Sequence, residues 1–195
     1  MWNDRYSEDG FAFGTKANDF LIEAQPQIPQ GRVLCLAEGE GRNAVFLAEQ
    51  GYDVVAVDAS AVGLEKAQKL AAERGVKIET IVTDLADFKI EEDAWQAIVS
   101  IFCHLPIALR QNIHRQVCKG LKQKGVLILE AYRPLQLKYK SGGPPVAELM
   151  MTLETLKEDF STLETLHCCE TVREVVEGKY HTGDGAVVQL IARKK

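Results

Sequence analysis

From residue 32 onward, short runs rich in Val, Leu and Ile alternate with longer segments whose apolar positions recur every three or four residues. That alternation predicts a parallel sheet covered by helices on both faces. Arg32 to Ala37 reads as a strand buried on both sides, followed by a Gly-rich turn and a helix from about Asn43 to Gln50 that stops at Gly51. Asp53 to Asp58 is the second strand. Ser60 is placed to cap a helix in which Leu64, Ala67, Leu70 and Ala71 share a face, and Gly75 stands where a left-handed residue ends it. Lys77 to Val82 reads as strand three and Trp95 to Phe102 as strand four. Pro106 then opens a helix carrying Leu109, Ile113, Val117 and Leu121 on one stripe. Gly125 is expected to end that unit, with Val126 to Ala131 as strand five.

The texture then changes. YRPLQLKYKSGGPP has three prolines and two adjacent glycines, which no helix or central strand accommodates. Residues 132–160 are therefore expected to form a loop and a helix, the helix around Leu153 to Phe160. Two alternating stretches, Leu163 to Glu177 and Ala186 to Arg193, joined by GKYHTGDG, predict an antiparallel hairpin. Residues 1–30, with Trp2, Tyr6, Phe11, Phe13 and Phe20, fall outside the pattern and are expected to cap the sheet, leaving 31–195 as the main domain. The fold class is α/β, a seven-stranded, mostly parallel sheet with helices on both faces and a C-terminal antiparallel hairpin.

A chain of 195 residues with 46% hydrophobic and 26% charged residues has the usage of one globular domain. Its net charge of −5, without a Lys/Arg tract, argues against a nucleic-acid partner. The apolar runs stop well short of the roughly 18 residues that span a bilayer. Asp4, Glu8 and Asp9 stand where a signal peptide has basic and then apolar residues, so a cytoplasmic protein is expected. Five cysteines, an odd number without CxxC spacing, fit a reducing compartment, and the four histidines show no metal-ligand spacing. A monomer without a metal is expected.

The chemistry concentrates in VLCLAEGEGRNA, where Gly39, Gly41 and Ala44 form a GxGxxA turn between a buried strand and a helix. Glycines admit a ligand close to the backbone, and the helix start offers free N–H groups. Glu38, Asp58 and Asp84 close three successive strands and point to one crevice beyond the carboxyl edge of the sheet. Asp58 stands where nucleotide-binding α/β folds keep an acid for ribose hydroxyls. Glu38 and Glu40 beside the turn oppose a pyrophosphate but suit a ligand with a sulfonium and an ammonium group. The GxxxxGK[ST] phosphate loop is absent.

LCLAEGEGRNAVFLAEQGYDVVAVDAS and the later TDL resemble the glycine motif, ribose acid and adenine-side motif of class I S-adenosylmethionine-dependent methyltransferases, which have a Rossmann-like fold. The resemblance covers nearly the whole chain. WNDRYSEDGFAFGTKANDFL and SGGPP resemble the small bacterial group related to tellurite-resistance and thiopurine methyltransferases. It implies S-adenosylmethionine as cofactor, with Arg5, Tyr6 and Phe13 folding over its methionine end. Glu38 would face the ammonium, and Ala37, Gly39, Gly41, Arg42 and Asn43 would run beside the methionine and ribose. Asp58, Ala59 and Ser60 would serve the ribose, Asp84 and Leu85 the adenine, and Ser100, Ile101 and Phe102 the floor below the sulfonium. The AEGEG turn departs from the common Asp-x-Gly-x-Gly, with Asn43 in place of a Gly or Ser.

Methyl transfer from a sulfonium depends mainly on positioning, so no general base is obligatory. CHLP replaces the Asn-Pro-Pro-Tyr type motif of methyltransferases acting on nucleic-acid amines. His104, Arg133 and His181 are the substrate-side candidates. Arg133, Lys138, Lys140 and His181 together would make a positive mouth for a small anionic acceptor. The acceptors considered are a thiol, an amine, or a metalloid oxyanion such as tellurite or selenite. Two other readings stay open: an NAD(P)-dependent oxidoreductase, supported by GxGxxA and Asp58, and a non-catalytic S-adenosylmethionine-binding protein.

Overall fold

The computed structural model describes residues 2–139 and 141–195. Lys140, one member of the expected positive mouth, lies outside them. The strands are β1 (Arg32–Leu36), β2 (Asp53–Asp58), β3 (Glu79–Val82), β4 (Trp95–Ile101), β5 (Leu121–Tyr132), β6 (Glu164–Glu177) and β7 (His181–Arg193). The helices are α1 (Trp2–Tyr6), α2 (Asp19–Ala24), α3 (Arg42–Glu49), α4 (Ala61–Glu73), α5 (Ile107–Gly120) and α6 (Leu153–Asp159). One sheet runs in the order β3-β2-β1-β4-β5-β7-β6. β1 to β5 pair in parallel, and β7 is antiparallel to both β5 and β6.

Side-chain alternation builds two cores. In β1, Val33 and Cys35 face α2, α3 and α4, where Phe20, Leu21, Ala44, Leu47 and Leu64 meet them. Leu34 and Leu36 face the opposite side, against Ile113 and Val117 of α5 and Leu156 of α6. Strands buried on both faces read as continuous apolar runs, which is why the central strands were visible from sequence. The cap expected over residues 1–30 is only partly a cap, because Phe20, Leu21 and Ala24 of α2 belong to this core.

Several boundaries moved. α5 ends at Gly120, and the chain turns directly into β5 at Leu121, five residues before the expected start. Leu121 thus belongs to the strand, and Trp95 pairs with it across a register shift. β3 begins at Glu79 rather than Lys77, and β7 takes up most of the expected turn, starting at His181. Ser60 caps α4 by accepting from the Gly63 amide at 3.0 Å, as expected.

Strand order reverses between β1 and β4, since the chain runs outward through β2 and β3 and returns to the other side of β1. A parallel sheet opens a crevice at such a reversal, beyond the carboxyl ends of its strands. The chain puts both its glycine turn and its 101–104 segment there.

Candidate functional site

A cavity of about 590 Å³ lies over that reversal. Its floor comes from the ends of β1, β2 and β4, and its roof from Trp2, Arg5, Tyr6 and Phe13 of the N-terminal segment. Ala37, Glu38, Arg42, Asn43, Asp58, Ala59, Asp84 and Leu85 line one half. Ile101, Phe102, His104, Gly142 to Pro145, Leu149 and His181 line the other. Ala37 and Phe102, the residues immediately after β1 and β4, both adopt left-handed backbone conformations, with φ of 50° and 52°. Such geometry is costly for residues other than glycine and clusters at functional sites.

The two turn glycines serve packing. A Cβ at Gly39 would come within 2.6 Å of the Tyr6 hydroxyl, so the Tyr6 ring fills the space beside the turn. A Cβ at Gly41 would meet Ala67 of α4 at 2.5 Å, so this glycine lets α3 and α4 approach. Both have positive φ, and neither lines the cavity, in contrast to the expectation that their missing side chains make room for a ligand.

The acids divide into three roles. Asp58 accepts from the Gly39 amide at 2.8 Å and from the Ser60 amide at 2.7 Å, locking two strand ends together, and it also borders the cavity. Burial raises its carboxyl despite these bonds. Glu38 accepts from the Asn43 and Ala44 amides at 3.0 and 2.8 Å, and burial pushes it up to about 7. Glu40 turns to the N-terminal segment, accepting from the Ala12 amide at 2.7 Å and pairing with Lys66 at 2.9 Å. Asp84 folds back onto the Ala86 amide at 2.8 Å while bordering the cavity.

The other half is aromatic. The Phe102, Tyr132 and His104 rings lie near-parallel, with interplanar angles of 24°, 15° and 23°. His181 stands on edge to Phe102 and Tyr132, and Phe13 tilts against it at 4.6 Å. Behind the rings is a buried charge network with no counterpart in the sequence reading. Arg42 reaches Glu177 at 2.6 Å, Arg173 grips Glu130 through two nitrogens at 2.9 and 2.6 Å, and Asn18 donates to both acids. Burial opposes ionisation of Glu177, but His181, Arg42 and Arg173 hold its carboxyl down at about 2. Glu130 in the middle of LILEAY, a charge inside an apolar strand, was the available signal.

The substrate-side candidates separate. His104 lines the cavity, but its Nε2 accepts from the Tyr132 amide at 3.0 Å and the Phe102 main chain bonds the same ring. Burial, with His181 nearby, depresses it to about 3, so His104 is a neutral, fixed ring here and not a free base. Arg133 is displaced from the expected mouth: it lies off the cavity and pairs with Glu170 of β6 at 2.7 Å. Lys138 also lies away from the lining, on the exposed end of the Pro134–Lys138 turn. His181 does reach the cavity; its buried Nδ1 lacks a hydrogen-bond partner and faces Glu177 at 3.7 Å. Ser60 and Ser100 are buried beside the cavity without lining it, whereas Ile101 and Phe102 line it. Trp2, Tyr180 and the Gly142–Pro145 turn also line it, the last belonging to the SGGPP segment of the expected substrate-side loop.

Among the described residues no group of three His, Cys, Asp or Glu is placed to hold a metal ion, and no helix is long and apolar enough to cross a membrane.

Comparison with known proteins accords with this geometry. A family model described as "Methyltransferase domain" matches residues 33–125. Glycine/sarcosine N-methyltransferase of Halorhodospira halochloris is 31% identical over 134 residues, 66% of this chain and 47% of that protein. A 2-heptyl-1-hydroxyquinolin-4(1H)-one methyltransferase of Mycobacteroides abscessus is 28% identical over 122 residues, 60% of this chain and 54% of that protein. The chain thus spans about half the length of these curated relatives. TehB from Haemophilus influenzae has the same fold, with a TM-score of 0.75 and 21% identity over 100% of this chain and 66% of that one. Residues 33–125 thus match a methyltransferase domain, and the strand order and glycine turn share the fold of S-adenosylmethionine-dependent methyltransferases of known structure.

Proposed function

We propose that the chain transfers the methyl group of S-adenosylmethionine to a small-molecule acceptor. The observation that carries this reading is the charge of the cavity's β1–β2 half, where Glu38, Glu40, Asp58 and Asp84 border the space, while Arg42 is committed to Glu177 and Arg5 stands in the roof. A pyrophosphate would meet uncompensated carboxylates there, which disfavours the NAD(P) reading. An ammonium and two ribose hydroxyls find acceptors. Each Asp58 oxygen uses one lone pair on the main chain and retains one for a hydroxyl.

When bound, the cofactor supplies a methyl group on an already activated sulfonium. The chain's part is positioning. Asp58 would hold the ribose hydroxyls, Glu38 the methionine ammonium, and Asp84 and Leu85 the adenine side. Tyr6, Phe13 and Trp2 would shut out water from above, with Arg5 toward the methionine carboxylate. Ala37, Gly39, Gly41, Asn43, Ala59, Ser60 and Ser100 act through backbone shape and packing. Small acceptors are supported by the enclosed cavity and by the substrates for which the two relatives are named, a hydroxyquinolone and glycine or sarcosine. The tellurite or selenite option loses its main support, because Arg133 and Lys138 lie off the cavity.

The test is thermal unfolding with S-adenosylmethionine, S-adenosylhomocysteine, NAD and NADH in parallel. A ligand at about 100 times its dissociation constant adds roughly 2.7 kcal/mol. Stabilisation by the two sulfur compounds alone is expected, and stabilisation by the nicotinamides alone would replace this reading with a dinucleotide site. Turnover then separates an enzyme from a binding protein.

A further inference from the structure

The half of the cavity over β4, β5 and β7 has a character of its own. Phe102 is held in a left-handed conformation, with φ of 52°, and its amide is tied to the Glu130 carbonyl at 2.8 Å. Its ring rests on Tyr132 with centroids 4.5 Å apart and remains partly exposed to the cavity. The strain is thus spent on presenting a flat aromatic face. Pro144 and Pro145 bound the same space, and their turn cannot carry larger residues before them: a Cβ at Gly143 would meet Tyr132 at 2.9 Å, and one at Gly142 would meet His181 at 2.6 Å.

Charge at this end is committed, two arginines to acids and Arg5 to the roof and the methionine carboxylate assigned to it above. Arg42 is bound to Glu177, and Arg133 to Glu170. Arg5 lies over the Trp2 and Tyr180 rings, 5.2 and 4.7 Å from their centroids. An oxyanion is held by charge-assisted donors, and the rings around Phe102 present none. The polar edge on offer is the His181 imidazole, whose Nδ1 faces Glu177 while the opposite side of the ring lies along Gly142. Burial, together with the Arg42 and Arg5 guanidiniums, keeps this imidazole neutral more than Glu177 charges it, so it can accept a hydrogen bond.

Resting on the reading that the chain binds S-adenosylmethionine, we infer that its methyl acceptor is an uncharged, planar aromatic molecule that stacks on Phe102 and directs its nucleophilic O–H or N–H to His181. The acceptor heteroatom bonds the methyl carbon as the carbon–sulfur bond breaks, with that electron pair returning to sulfur. The acceptor's proton passes to the free nitrogen of His181, and Glu177 stabilises the imidazolium. Apo hydrogen bonds in such pairs are often long, as the 3.7 Å separation is here.

The test is calorimetry on the full chain saturated with S-adenosylhomocysteine, using 4-hydroxyquinoline, the non-planar alcohol 1-decalol and sodium selenite as probes. 4-Hydroxyquinoline is expected to bind at least roughly tenfold tighter than 1-decalol, with no selenite binding. Phe102→Ala, resaturated with S-adenosylhomocysteine, should lose roughly tenfold for 4-hydroxyquinoline. His181→Phe keeps a ring at that place and should erase the preference for 4-hydroxyquinoline over quinoline. Selenite competing with 4-hydroxyquinoline, equal binding of 1-decalol, or no binding of the aromatic probe to the saturated protein would overturn the inference. Failure of S-adenosylhomocysteine itself to bind is a separate result and overturns the underlying reading.

Discussion

The two halves of the cavity are built on opposite plans. Over β1 and β2 the functional side chains are acids fixed by main-chain amides two to six residues away or on the neighbouring strand's end, as Glu38 is by Asn43 and Ala44 and Asp58 by Ser60 and Gly39. Over β4, β5 and β7 the surface is aromatic, and its support comes from buried polar and charged groups far apart in sequence, such as Asn18 with Glu130 and Arg42 with Glu177. The first half is specified locally and suits an invariant ligand. The second depends on several distant segments and can be retuned without disturbing the first.

If the second half rests on the buried network, Glu130→Leu should have the largest effect, lowering the free energy of unfolding by about 3 kcal/mol in urea, because Arg173 keeps only its longer contact to Glu177 at 3.4 Å while Asn18 and Gln189 lose a buried acceptor. A loss below about 1 kcal/mol would mean the network contributes little. Next comes Asp58→Ala, expected to weaken S-adenosylhomocysteine binding by about 1.5–3 kcal/mol through lost hydrogen bonds to a charged group. Calorimetry showing unchanged affinity would remove Asp58 from the ribose contact.

A smaller effect belongs to Glu38. Its folded-state value, raised by burial to about 7, lies above the ordinary carboxylate range, so the stability it contributes is complete at acidic pH and is lost as pH rises through about 7. Glu38→Gln should flatten that part of the melting-temperature profile. An ammonium placed beside Glu38 favours the ionised form, so ligand binding near pH 6 should release up to about one proton, read from calorimetry in buffers of different ionisation enthalpy. Proton uptake would contradict the assignment. The smallest change is Arg133→Ala, where a partly exposed pair with Glu170 is worth about 0–1 kcal/mol and cofactor affinity should hold. A marked loss of affinity would return Arg133 to the mouth.

The same division decides what could be read from the sequence. The central strands and the capped α4 were legible because apolar runs, Ser60 and the terminal glycines act within a few residues. Asp58 and Asp84 were legible as strand ends facing one crevice. Gly41 misled, since its missing side chain serves α4 twenty-six residues away at Ala67. Arg133 misled because β6, its partner, is brought to it only by the antiparallel return of the hairpin. The β5 boundary was missed since Gly125 looks like a helix stop, whereas the helix ends at Gly120 and the strand carries Lys124, with φ of 63°, and Gly125 within it.

The tip of the β6–β7 hairpin is fastened to the N-terminal roof. The Lys179 amide donates to the Ala12 carbonyl at 2.9 Å, Tyr180 donates to Glu8 at 2.7 Å, and Gly178 is packed so closely on Ala12 and Gly14 that a side chain would collide. In order of synthesis, residues 8–14 precede their partners at 178–180 by more than 160 residues. These contacts cannot form until the hairpin tip has been synthesised, so the fastening of the roof waits on the last strand pair of the sheet.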